Sequence, residues 1–100
     1  MVLVKVLRES ELEEGKVRGA LAGGKKVALA RLGGKIYCFD HTCAHMGGPL
    51  GEGSCEGGEV KCPWHGYKYK PDTGQCTTDP ALKIGTHGVT VKDGEIYVEV

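Results

Sequence analysis

Residues 43–65 read C-A-H-M-G-G-P-L-G-E-G-S-C-E-G-G-E-V-K-C-P-W-H. The stretch opens on Cys43 and His45, two apart, and closes on Cys62 and His65, three apart. Sixteen residues separate the two pairs, so the pattern is C-x-H-x16-C-x2-H. Glycine and proline flank both pairs: Gly47-Gly48-Pro49 follows the first, Pro63-Trp64 lies inside the second, and Gly66 follows it. Loops of this kind can wrap a compact centre, because glycine lets backbone N–H groups approach closely. The sixteen intervening residues are enough to bring the two loops together over one site.

On either side of this stretch the text reads as short strands. Val2 to Leu7 alternates apolar and polar over part of its length, around Lys5, and predicts a first strand. Ser10 with Glu13 matches a capping box and predicts one helical turn before Gly15. Lys16–Leu21 and Lys25–Leu32 predict two strands joined at Gly23-Gly24, and Gly33-Gly34 leads into a fourth, Lys35–Asp40. That fourth strand has consecutive apolar residues, so both its faces are expected to be covered. From His41 to Gly58 periodicity is lost, which predicts a long loop region, of a kind that is usually functional or disordered. Val60-Lys61 and Tyr67–Lys70 are brief strands, Gln75–Thr78 is a candidate hairpin partner, and Asp79-Pro80-Ala81 is a turn. Val89–Lys92 and Glu95–Glu99 alternate around Asp93-Gly94, the strongest hairpin signal in the chain. The expected fold is all-β, an antiparallel sandwich or small barrel.

One hundred residues fit one small domain with a modest core. Thirteen basic residues balance thirteen acidic ones, so no nucleic-acid footprint appears. The halves differ mildly: residues 1–50 hold eight basic and five acidic residues, and residues 51–100 five and eight. No apolar run approaches a membrane span, and the first residues lack the flanks of a signal peptide. A cytoplasmic protein is expected. Five cysteines, an odd number without an export signal, argue against a disulfide framework. In such a chain a cysteine is a metal ligand, a nucleophile or a small buried residue.

Two cysteines and two histidines can bind zinc. Zinc fingers, however, pair cysteine with cysteine and histidine with histidine, whereas here each loop supplies one of each. The mixed pairing suits a two-iron, two-sulfur cluster in which one iron takes both thiolates and the other both imidazoles.

The spacing, together with C-P-W-H-G in the second loop, resembles the signature of Rieske-type ferredoxins. Gly47-Gly48-Pro49-Leu50, Asp72-Thr73-Gly74 and Pro80-Ala81-Leu82 extend the resemblance, which covers most of the chain. It implies a Rieske fold in a single domain, residues 1–100. The base would be residues 1–40 and 67–100, with a cluster-binding insertion at about 41–66. It implies one [2Fe-2S] cluster held by Cys43, His45, Cys62 and His65. Neutral imidazoles in place of thiolates make the cluster less negative, so adding an electron costs less. Rieske potentials lie at roughly −150 to +300 mV, against about −400 mV for plant-type ferredoxins. Reduction also favours protonated imidazole, so the potential is expected to fall as pH rises through ligand ionisation.

The resemblance narrows the type further. Respiratory members carry a disulfide between the loops, and the matching positions here are Gly48 and Trp64. High-potential members place a serine and a tyrosine where this chain has Tyr67 and Tyr69. A potential below the respiratory class, raised somewhat by the Tyr69 hydroxyl, is expected. Pro80 matches a proline loop that covers the cluster in the family. Trp64 is expected either to shield the cluster or to face a partner.

The remaining candidates have plainer readings. Cys38 is expected to be a core residue, and Met46 a packing residue. Cys55 and Cys76 lie in loop or strand-edge text, with a disulfide between them the sharper alternative. His41 and His87 read as surface histidines, with His41 as a substitute ligand the sharper alternative. The expected function is a monomeric one-electron carrier between a flavoprotein reductase and a terminal oxygenase, without catalysis of its own. A small subunit of a larger reductase, such as nitrite reductase, is the second reading. A zinc-binding interaction module is the third. An oxygenase catalytic component is excluded for this chain, since only His87 remains downstream as a candidate ligand for its second iron.

Overall fold

Asp93 and Gly94 have φ values of 53° and 75°. Two central residues with left-handed φ make the tight turn that matches the twist of paired strands. This turn joins β9 (Val89–Lys92) to β10 (Glu95–Glu99). The same device, glycine at both positions, joins β2 (Val17–Ala22) to β3 (Lys25–Leu32) and β3 to β4 (Lys35–Asp40). The computed structural model describes residues 3–42, 49–64 and 66–99. Cys43, His45, Met46, Gly48 and His65, and the start of the first expected strand at Val2, lie outside the described residues.

Among the described residues the strands form three antiparallel sheets. The first holds β1 (Leu3–Arg8), β10 and β9 in that order. The second runs β2, β3, β4 and β8 (Thr86–His87). The third is small: β5 (Ser54–Glu56), β6 (Glu59–Lys61) and β7 (Lys68–Tyr69). It runs across residues 66 and 67, where the boundary between base and insertion was expected. Among the described residues no helix is long and apolar enough to cross a membrane.

The second sheet is covered on both faces, which explains the unbroken apolar text of β3. Val27 and Leu29 face a core with Leu7, Leu12, Cys38, Ile96 and Val98. Ala28 and Ala30 face a second core with Phe39, Leu50, Val60, Cys62, Tyr69, Cys76 and Ile84. Alternation of period two puts large residues on one side and alanines on the other. The alanines leave room for Phe39, Leu50 and Tyr69, all fully buried. Truncating a residue such as Leu29 would cost about 2–5 kcal/mol. Adjacent residues of β4, Cys38 and Phe39, enter opposite cores, as expected for a strand covered on both faces.

Several local expectations change. The helical turn is a 3-10 turn at Glu9–Glu11, and it is the Arg8 N–H that donates to Glu11 Oε1 at 2.9 Å, not a Ser10–Glu13 box. Gln75–Thr78 forms no strand; Tyr69–Cys76 and Gln75–Lys83 are isolated bridges, because the backbone beyond Cys76 turns onto itself. β5 arises inside the stretch that lacked periodicity. Its turn, Gly57-Gly58, has the positive φ pair (60° and 81°) that signals a hairpin. β8 is too short to show a period.

Candidate metal centre

Cys62 follows β6 directly and is 1% exposed. Its N–H donates to the Tyr67 carbonyl at 2.7 Å, which closes the second loop over Pro63-Trp64. Inside that loop the Trp64 N–H points back to Cys62 Sγ at 3.4 Å. Pro63 has no N–H to satisfy, and Gly66 takes φ 70°, a left-handed value that suits a tight turn. A sulfur that accepts a backbone N–H in an apolar setting fits a ligand thiolate, since such bonds favour the charged form.

The first loop has its own stem. Thr42 and Pro49 face each other in an antiparallel bridge, and the Leu50 N–H donates to the His41 carbonyl at 2.7 Å. The residues that flank 43–48 are therefore held side by side. A 3-10 turn, Leu50–Glu52, then packs against β2 and β3.

The two stems meet. A Cβ on Gly53 would collide with the Lys61 carbonyl, one residue before Cys62. Only glycine allows this approach of the first loop's exit to the second loop's entry. A hollow of about 250 Å³ opens at the junction, lined by Glu52, Gly53, Ser54, Lys61, Cys62, Pro63 and Gly66. Of the four expected ligands Cys62 alone is described, and among the described residues no three candidate donors gather.

Tyr69 is fully buried beside Cys62, and Tyr67 packs against the same core half-buried. Trp64 is 48% exposed, so it turns much of its ring outward. Pro80 is exposed. The other cysteines resolve simply. Cys38 is buried, as expected, and burial, reinforced by Asp40, pushes its thiol up to about 12. Cys55 and Cys76 are unbridged thiols, so the disulfide alternative falls.

Both histidines correct the surface reading. His41 is 8% exposed, and its Nδ1 accepts the Gly51 N–H at 3.2 Å. Burial, aided by Lys26 and opposed by Glu52, pulls its imidazole below the ordinary value. His87 is half-buried, and its Nε2 lies 2.9 Å from Asp40 Oδ1. Asp40 Oδ2 accepts the Gly85 N–H at 3.0 Å, and Lys25 Nζ stands 3.5 Å from Oδ1. This cluster ties β4 to β8 just before the first loop. No local pattern marked it; Asp40 and His87 are 47 residues apart.

Residues 2–96 match the Rieske [2Fe-2S] domain family. Ferredoxin CarAc of Metapseudomonas resinovorans is 32% identical over 99 residues, spanning 97% of this chain and 92% of that protein. The ferredoxin of carbazole 1,9a-dioxygenase from Nocardioides aromaticivorans IC177 superposes with a TM-score of 0.89 at 26% identity, over 98% of this chain and 97% of that one. A chain in a complex of reduced oxygenase and oxidized ferredoxin in carbazole 1,9a-dioxygenase superposes with a TM-score of 0.86 at 32% identity, over 97% and 92%. With this match over nearly its whole length, the chain belongs to the Rieske [2Fe-2S] domain family.

Proposed function

We propose that the chain is a one-electron carrier that receives electrons from a flavoprotein reductase and delivers them to a terminal oxygenase. The observation that carries this is the junction of the two loop stems at Cys62: a buried sulfur accepting a backbone N–H, where Gly53 meets Lys61. Its likeness to ferredoxins of oxygenase systems supports the choice of partners.

Cys43 and Cys62 would hold one iron through thiolates, and His45 and His65 the other through imidazoles. When bound, a [2Fe-2S] cluster supplies one reversible one-electron site. The chain's own residues do the rest. Leu50, Phe39 and Tyr69 keep water from the Cys62 side. The Trp64 N–H stabilises negative charge on Cys62 Sγ. The outward face of Trp64 offers a partner an apolar contact. In this reading residues 41–66 are the cluster-bearing insertion of a single cytoplasmic, monomeric domain.

Purified protein should contain about two irons per chain and show the visible absorption of a two-iron cluster. On reduction it should give the low average g value of mixed cysteine and histidine ligation. Cys62→Ser should lose both signals. A colourless protein containing zinc would overturn the proposal.

A further inference from the structure

We infer that Gln75 is a positioning residue that holds the segment from Cys76 to Leu82 against the Cys62 side of the site; this rests on Cys62 being a cluster ligand. The Gln75 side-chain amide nitrogen donates to three carbonyls. They are those of Cys76 at 3.2 Å, Pro80 at 3.0 Å and Leu82 at 3.0 Å. An amide has two N–H hydrogens, so the three acceptors share them.

The same segment closes on itself. The Cys76 N–H donates to the Leu82 carbonyl at 3.1 Å and the Leu82 N–H to the Asp79 carbonyl at 3.0 Å. The Ala81 N–H reaches Asp79 Oδ1 at 3.0 Å, and the Asp79 N–H reaches Cys76 Sγ at 3.3 Å. Both ends of the segment enter the site's core. Cys76 is buried in the cluster that contains Cys62 and Tyr69, Leu82 packs against it, and Cys76 faces Tyr69 across an antiparallel bridge. The link therefore runs from the Gln75 amide, through the carbonyls it gathers, to the residues packed around Cys62.

The Leu82 carbonyl also accepts the Cys76 N–H, whereas the donor to the Cys76 and Pro80 carbonyls is the Gln75 amide. Without the Gln75 donor those two would turn to water, and the segment would open. Water reaching the Cys62 side would favour the more negative, reduced form of a bound cluster, so the midpoint potential would rise.

The test uses the cluster-loaded protein with Gln75→Met, which keeps length and removes the donor, and Gln75→Asn, which keeps a donor on a shorter arm. Gln75→Met should speed amide exchange at Cys76 and Leu82 by about tenfold and raise the midpoint. Gln75→Asn should give smaller changes of the same sign, and it carries the test if the methionine variant does not fold. Unchanged exchange, or faster exchange with an unchanged midpoint, would overturn the inference alone. Absence of two-iron absorption in the unmutated protein would overturn the electron-carrier reading and this inference with it.

Discussion

Gly51 lies directly against His41: its N–H donates to His41 Nδ1 at 3.2 Å, and a Cβ on Gly51 would stand 2.6 Å from that nitrogen. The same Cβ would stand 2.6 Å from the Gly19 Cα. The Nδ1 edge of His41 thus packs against two glycines that also touch each other, one on β2 and one on the turn after the first loop.

Gly51→Ala should destabilise the fold. The added methyl has backbone on one side and a buried ring on the other, so it must displace both. Overpacking of this kind costs about 1–3 kcal/mol. In a domain of this size that lowers Tm by roughly 4–8 °C per kcal/mol. A thermal melt of the variant checks it, and an unchanged Tm would show that the contact yields freely.

Asp40 should give stability an acid limb. Burial pushes its carboxyl up, but the His87 ring, the Gly85 N–H and the Lys25 ammonium outweigh this and hold it below the ordinary value. A depressed folded value contributes stability above the unfolded value of about 3.9, and that stability is lost as pH falls through the folded value. Asp40→Asn should therefore be less stable at neutral pH by about 1 kcal/mol, a figure held low by the carboxylate's partial exposure. The gap should close below about pH 4. Urea midpoints across that window decide it, and parallel curves would contradict the role given to Asp40.

Tyr69→Phe should lower the midpoint potential. Tyr69 is fully buried in the core that contains Cys62. In the proposed reading the Tyr69 hydroxyl would donate toward the cluster's sulfur ligands, and its loss would remove stabilisation of the reduced, more negative state. One such bond, worth about 1 kcal/mol, corresponds to tens of millivolts for a one-electron couple. A redox titration of both proteins reads the shift directly, and equal midpoints would sink the assignment.

Cys38 should resist alkylation in the folded protein. It is 1% exposed and its thiol is pushed up to about 12 by burial and then by Asp40. Little thiolate exists near pH 8, and reagent access is blocked as well. Iodoacetamide followed by peptide mass spectrometry should find Cys38 unmodified until the chain is denatured. Native labelling would show that the strand opens.

The parts of the fold that were legible in the sequence are the ones that local chemistry decides. Gly23-Gly24, Gly33-Gly34 and Asp93-Gly94 mark hairpins because each turn needs left-handed φ at both central residues. β3 and β4 were found with their observed limits, since eight and six residues are long enough to show a pattern. β5 and β8, three and two residues long, were missed, whereas the equally short β6 and β7 were marked by the apolar Val60 and by Tyr67 and Tyr69. Gly57-Gly58 was the available signal for β5, hidden by the surrounding glycines.

By itself the sequence determined the hairpins, the all-β class, the mixed cysteine and histidine pairing and, through that spacing, the family. Turn φ values and ligand spacing are properties of neighbouring residues, so they can be read along the chain. Tertiary structure alone decided that Gly53 meets Lys61 and joins the two loops beside Cys62. It likewise decided that His41 is buried against Gly19 and Gly51, that Asp40 finds His87, and that one glutamine amide gathers three carbonyls. These contacts depend on which surfaces the folded sheets bring together, and no local pattern records that.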